Sequence, residues 1–229
     1  MTTQLQSQSK SRLRPYDYLK RLLDLIVSLT VLLLASPVLL LVALLLLVTM
    51  GRPLLFVQER PGKGGRPFRL YKFRTMLPVT DADASAVTAV ASDGARLTRV
   101  GAALRASSLD ELPELFNILR GDMSLVGPRP LLTDYLKYYS PQQARRMEVR
   151  PGLTGLAQVS GRNALSWEQR FELDVLYVDQ RSLWLDCRIV LQTVAAVLSR
   201  KGISDQTATM TPFQGSSEGS TDQTVAEKH

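Results

Sequence analysis

Residues 25–50 read LIVSLTVLLLASPVLLLVALLLLVTM, an apolar run without a single charged side chain. Its 26 residues exceed the roughly 20 that a helix needs to cross a bilayer. The run starts well inside the chain, and Gly51-Arg52-Pro53 follows it in place of a small-residue cleavage site. A secretory signal also has a shorter apolar core, ~7–15 residues. The segment therefore reads as a retained membrane element, and everything after it has to fold beside a lipid surface.

Ser36-Pro37 lies near the middle of the run. A proline there removes a backbone donor and crowds the preceding turn, which kinks a helix. Both flanks are basic: Lys10, Arg12, Arg14, Lys20 and Arg21 on one side, Arg52, Arg60, Lys63, Arg66 and Arg69 on the other. Positive charge favours the cytoplasmic side, so both ends ask for the same face. Each arm measures only about 18–21 Å at 1.5 Å per residue, short of a ~30 Å hydrocarbon core. A re-entrant hairpin bent at Ser36 and Pro37 and an ordinary kinked spanning helix both remain open on these residues alone.

Beyond the run the composition is that of a soluble domain. The chain has 229 residues and a net charge of +7, which points to phosphate-bearing partners. Cys187 is the only cysteine and His229 the only histidine, which excludes an internal disulfide, a cysteine-rich zinc site and a histidine-based triad. Any chemistry must come from carboxylates, Lys, Arg, Tyr or Ser. Short extended segments at Leu54–Gln58 and Phe68–Phe73 flank the turn Pro61-Gly62-Lys63-Gly64-Gly65. Helices are expected at Leu97–Leu104, Leu109–Leu119, Leu131–Tyr139, Gln142–Val149, Trp167–Tyr177 and Leu183–Arg200, the last with a broad apolar face read as core. The fold class is mostly α with short strands. Its divisions are a basic disordered terminus (1–15), the membrane helix (16–51), a catalytic domain (52–202) and a disordered tail (203–229), with a loop at 78–95.

Ser107-Ser108-Leu109-Asp110-Glu111-Leu112-Pro113-Glu114-Leu115 is the stretch richest in chemistry. Ser108 followed by Glu111 has capping-box spacing, and Pro113 belongs early in a helix. Both place Asp110 and Glu111 at a helix start, where an ionised carboxylate is favoured. Such a pair can supply a nucleophile toward phosphorus or hold Mg²⁺; equally, it can do no more than cap a helix. Lys72, Arg74, Arg105, Arg129 and Arg150 form a set of cations suited to phosphate oxygens, Arg129 and Arg150 being stiffened by neighbouring prolines. Taken singly, each also reads as a solvated surface charge.

Further motifs accompany these: Lys20-Arg21 with Asp24, Gln58-Glu59-Arg60-Pro61-Gly62, Tyr71-Lys72-Phe73-Arg74-Thr75-Met76, Gly121 through Pro130, Arg150 through Val159, and Gly161-Arg162-Asn163. In this order the chain resembles the bacterial sugar transferases that act as monotopic polyprenyl-phosphate phosphoglycosyl transferases, over nearly all of residues 16–202. The resemblance implies a membrane helix that re-enters at Ser36-Pro37. It implies Asp110 as nucleophile and metal ligand, Glu111 as its partner, and Mg²⁺ as cofactor. Lys72, Arg74, Arg105, Arg129 and Arg150 would face phosphates. The substrates would be a UDP-sugar and polyprenyl (undecaprenyl) phosphate, met at the cytoplasmic face of the bacterial inner membrane. UMP would leave, and the sugar phosphate would pass through an aspartyl intermediate. Similarity to short members around Trp167-Glu168 and Phe171-Glu172-Leu173-Asp174 points to an N-acetylated amino sugar. Leu156 departs from the tryptophan common at its position. The chain looks like the short form of the family, self-association in the membrane is compatible with it, and no nucleic-acid motif is present. The competing reading is a non-catalytic membrane-anchored binding or scaffold protein, for which Asp110 and Glu111 would be dispensable.

Overall fold

The computed structural model describes residues 15–77, 96–161, 165–199, 213 and 215. The terminus, the loop at 78–95, Arg162, Asn163 and most of the expected tail lie outside the described residues. Helix α1 (Pro15–Met50) is, among the described residues, the one helix long and apolar enough to cross a membrane. It is followed by β1 (Leu55–Pro61) and β2 (Pro67–Phe73), then α2 (Arg99–Ala106), a single 3₁₀ turn at Leu109–Glu111, and α3 (Glu114–Arg120). Next come β3 (Ser124–Val126), the four-residue α4 (Pro141–Ala144), β4 (Gly152–Thr154) and α5 (Leu156–Ser160). Helices α6 (Trp167–Gln180) and α7 (Leu183–Leu198) close the described chain. The fold is mostly helical with short strands, as expected.

β1 and β2 form an antiparallel hairpin from Leu55↔Phe73 to Pro61↔Pro67, while β3 and β4 pair in parallel. A two-stranded sheet leaves edges that need covering. Asn117 of α3, fully buried, covers one: its amide nitrogen donates to Arg69 O (2.6 Å) and its amide oxygen accepts from Tyr71 N–H (3.1 Å). β3 and β4 escaped the sequence reading because they are three residues each. Their signal was Gly127 and Gly152: a Cβ on Gly152 would lie 2.1 Å from Gly127 N, so the backbones meet only without one.

Helix α1 is continuous across Ser36-Pro37, where Ser36 Oγ donates to Leu33 O (2.8 Å). Its burial is divided. Asp24, Ser28 and Leu32 are buried on the first arm and Val42 and Leu46 on the second; between them Leu39, half-buried, packs on both cores. Leu32 joins a core of Phe68, Leu70, Leu115, Ile118 and Met123; Val42 and Leu46 pack on Phe73 and Leu104. Both ends are also tied to the domain. Arg21 donates to Ile118 O (2.7 Å) and Leu119 O (3.1 Å). Arg74 donates to the carbonyls of Met50, Gly51 (2.8 Å) and Arg52 (3.3 Å). The remaining faces of α1 are exposed leucine, isoleucine and valine.

Three local expectations are corrected. Ser108 makes no capping box: it adopts φ 56°, and its side chain caps nothing. The chain has to reverse after α2, and a left-handed residue does that in one step. The helix expected over Leu109–Leu119 is accordingly split, with Pro113 as the residue preceding α3. The apolar face of α7, read as core, is partly outward: Ile189 is buried, but Trp184, Leu191 and Val194 are exposed. Apart from these, Phe213 is buried among Tyr135, Trp167 and Phe171.

Candidate active site

The Leu109–Glu111 turn is held from below by its apolar residues. Leu109 packs against the Phe73–Leu104 core and Leu112 against the Leu115–Ile118 core. The intervening acids thereby project toward β2 and the Pro128–Pro130 loop. Glu111 Oε1 accepts from Lys72 Nζ (2.6 Å) and from Arg129 Nη2 (2.7 Å). Lys72 Nζ also lies 3.0 Å from Glu114 Oε1. Strand β2, the 3₁₀ turn, α3 and the loop after β3 therefore meet at one cluster of ion pairs.

Arg129 is positioned from behind. Arg146, buried, donates to Arg129 O (2.7 Å) and to Asp174 Oδ2 (2.6 and 3.0 Å). The pair ties the proline-flanked loop to α6. Buried charge survives only when paired and hydrogen-bonded, and here both conditions hold.

The two acids of the dyad differ sharply. Burial pushes Glu111 up, but Arg129 and Lys72 outweigh it and hold the carboxyl well below its ordinary range. Asp110 is 8 % exposed, and among the described residues no hydrogen bond or ion pair engages its carboxylate. Burial, reinforced by the Glu111 charge, raises it to about 6, against the pull of Lys72, Arg105 and Arg129. Glu111 is thus spent on organising cations, whereas Asp110 keeps free lone pairs. Glu114, 2 % exposed, is raised to about 7 by burial. Carboxylates driven apart by their surroundings are a common mark of divided acid, base and nucleophile roles.

Of the expected phosphate-binding set, Lys72 and Arg129 are at the dyad. Arg105 is among the cations acting on Asp110 and donates through Nε to Thr75 Oγ1 (3.0 Å). Arg74 and Arg150 are not there. Arg74 grips the end of α1, and Arg150 donates to Gly121 O (2.8 Å) and lines a separate cavity. Glu114 was missed, although its place in a run of three acids within five residues was visible.

Among the described residues no group of three or more metal-ligating side chains assembles. Mg²⁺ characteristically takes one or two carboxylates and completes its shell with water and substrate phosphate. The unpartnered Asp110 carboxylate fits that mode; an all-protein cage does not.

A model of the bacterial sugar transferase family matches residues 15–200. An uncharacterized sugar transferase of Bacillus subtilis (strain 168), EpsL, is 50 % identical over 185 residues, covering 81 % of this chain and 90 % of its own. The UDP-glucose:undecaprenyl-phosphate glucose-1-phosphate transferase of Caulobacter vibrioides is 46 % identical over 191 residues, 80 % of this chain and 71 % of its own. The undecaprenyl-phosphate galactose phosphotransferase of Salmonella typhimurium is 38 % identical over 213 residues; this chain spans only 44 % of it.

Proposed function

The chain belongs to the bacterial sugar transferase family, and from that premise we propose that it transfers a sugar 1-phosphate from a UDP-sugar to undecaprenyl phosphate, releasing UMP. The observation that carries the reading is the contrast within the dyad: an ionisable, unpartnered Asp110 beside a Glu111 already committed to Lys72 and Arg129.

The chemistry follows from that contrast. With a pKa of about 6, Asp110 is roughly nine-tenths ionised at pH 7. One carboxylate oxygen attacks the sugar-bearing phosphorus. The bond from that phosphorus to the bridging oxygen breaks, and UMP departs with the electron pair. The lipid phosphate oxygen then attacks the same phosphorus, the aspartyl–phosphorus bond breaks, and Asp110 is regenerated as carboxylate. Lys72 and Arg129, fixed by Glu111, retain N–H groups for phosphate oxygens. Because they are pre-positioned, they offset charge in the transition state with little reorganisation. Mg²⁺, held by Asp110, would supply further neutralisation of the diphosphate.

The arrangement of α1 supports a re-entrant anchor. Arg21 and Arg74 bind the two ends of the helix to one polar domain, and between the docked arms the residues around Ser36-Pro37 are exposed. A spanning helix would place its ends at opposite faces, and the domain can follow only one. The basic flanks put that face toward the cytoplasm. On the sugar, the Caulobacter and Salmonella relatives are named for glucose and galactose, so these precede the N-acetylated amino sugar as candidates.

The test measures UMP release from UDP-glucose, UDP-galactose and UDP-N-acetylated amino sugars, with undecaprenyl phosphate and Mg²⁺ present. Intact-mass detection of a phosphosugar adduct, before the lipid is added, runs alongside. Lipid-dependent turnover and an adduct absent in Asp110→Asn are expected. Full turnover by that variant would remove Asp110 from the mechanism. A folded, membrane-bound protein inert toward every donor would return the scaffold reading to the front.

A further inference from the structure

A second concentration of cations lies away from the dyad. Lys20 and Arg21 of α1, Lys63 of the β1–β2 turn, Arg150 before β4 and Arg181 after α6 line one cavity of about 240 Å³. None of Lys72, Asp110, Glu111, Glu114 or Arg129 lines it. The hairpin gives the separation a scale. Lys72 pairs with Phe56, while Lys63 lies in the turn beyond the Pro61↔Pro67 pair. Five residues of strand from Pro67 to Lys72 span about 16 Å.

Two carboxylates also face this cavity, and both are occupied. Asp24 accepts from Ser124 Oγ (2.8 Å) and Leu125 N–H (3.1 Å), and Asp17 accepts from Arg181 Nε (3.3 Å). Lys20 is paired with Asp186 (2.8 Å), and Arg21 is used up on the α3 carbonyls. Donors are nevertheless left over. Among the described residues the Lys63 side chain makes no hydrogen bond or ion pair, and the Arg150 side chain uses only its Nε. Partial desolvation and the nearby Arg150 push the ammonium of Lys63, an exposed residue, down. Four separate chain segments thus bring five cations to a cavity lined by two carboxylates, and Lys63 and Arg150 lie close to one another with no carboxylate paired to either among the described residues, which costs free energy unless an anion binds.

We propose that this cavity is a binding site for a phosphate group, separate from the phosphates handled at Asp110. Its volume is below the ~300–1,000 Å³ of pockets that enclose whole small molecules, so it suits a phosphate with part of its ester and not a nucleotide sugar. Its place fits a phosphate at headgroup depth. It is lined by the first turns of α1, just before the apolar run begins, where Tyr18, Leu19 and Leu22 are exposed. The phosphate comes either from an anionic phospholipid of the bilayer or from solution as inorganic phosphate.

The experiment is calorimetric titration of the full-length protein in neutral detergent with dihexanoyl phosphatidylglycerol and, separately, with inorganic phosphate. Saturable binding is expected, roughly tenfold weaker in Arg150→Gln and in Lys63→Gln, since each removes a charge-assisted contact. Lys63→Gln is the structurally mild variant, because Lys63 holds nothing else in place. Arg129→Gln, which depletes the dyad's cations, leaves this binding unchanged. Tighter binding of the phosphatidylglycerol identifies a lipid source; tighter binding of inorganic phosphate identifies a soluble one. Absence of saturable binding by both probes overturns the proposal, as does binding that Lys63→Gln and Arg150→Gln leave untouched or that Arg129→Gln abolishes.

Discussion

Replacing Asp110 by asparagine should stabilise the protein while disabling it. The folded carboxyl titrates near 6 against 3.8 for its ordinary value, a difference of about 2 units. At 1.36 kcal/mol per unit, the ionised carboxylate destabilises the native state by about 3 kcal/mol relative to its protonated form. The sign is fixed by the direction of the shift. A raised folded pKa means that stability is fully present below about 4 and is lost as pH rises to about 6. Asparagine keeps the shape and removes the charge, so the variant escapes the loss. In metal-free protein at pH 8, Asp110→Asn should melt roughly 6–12 °C above wild type, taking about 2–4 °C per kcal/mol for a chain of this size. Near pH 4 the two curves should converge. Thermal unfolding at matched scan rate, in one detergent and with chelator present, measures both. Equal melting at pH 8, or an advantage that persists unchanged at pH 4, would refute the argument that Asp110 is held ionised in an environment that disfavours its charge.

Three other outcomes follow from named contacts. Arg74→Gln should loosen the anchor by removing charged hydrogen bonds to three carbonyls at the end of α1, each worth about 1.5–3 kcal/mol. Melting temperature should fall while the KM for UDP-sugar stays within error; a large KM change would return Arg74 to the substrate site. Asn117→Ala strands Arg69 O and Tyr71 N–H at a buried sheet edge; about 2–5 kcal/mol should be lost in denaturant titrations, and a cost under 1 kcal/mol would mean that water takes over. In a Cys187→Ser background, cysteines at Tyr18 and Arg52 should react with an impermeant maleimide from the same side of the membrane, whereas labelling from opposite sides would make α1 a spanning helix.

The parts of this fold that were legible are those in which local sequence sets the physics. An uncharged run as long as Leu25–Met50 has few destinations, and Pro61-Gly62-Lys63-Gly64-Gly65 between two apolar segments is a hairpin wherever it occurs. The Asp110-Glu111 pair was visible as chemistry, but its surroundings were not. Ser108 has the letters of a cap and the geometry of a reversal, because the end of α2 dictates its backbone. Lys72 and Arg74 are two residues apart and read alike; one reaches Glu111 and the other the end of α1. Arg150 likewise looked like Arg129 and faces a different cavity. Where a cation ends up depends on which carbonyls and carboxylates the tertiary fold leaves unsatisfied, and that is decided by elements distant in sequence. The contrast between Asp110 and Glu111 has the same origin.

The grip of Arg74 on the last carbonyls of α1 has a geometric meaning beyond stability. Lys72 and Arg74 are about 7 Å apart along one extended segment. One pairs with Glu111, beside Asp110, and the other holds the end of the apolar helix. That segment works as a depth gauge, tying the height of the reactive centre above the hydrocarbon to how deeply the helix is seated. In the proposed reaction a carrier phosphate at headgroup level would meet Asp110 at a set elevation, and turnover should then respond to bilayer thickness.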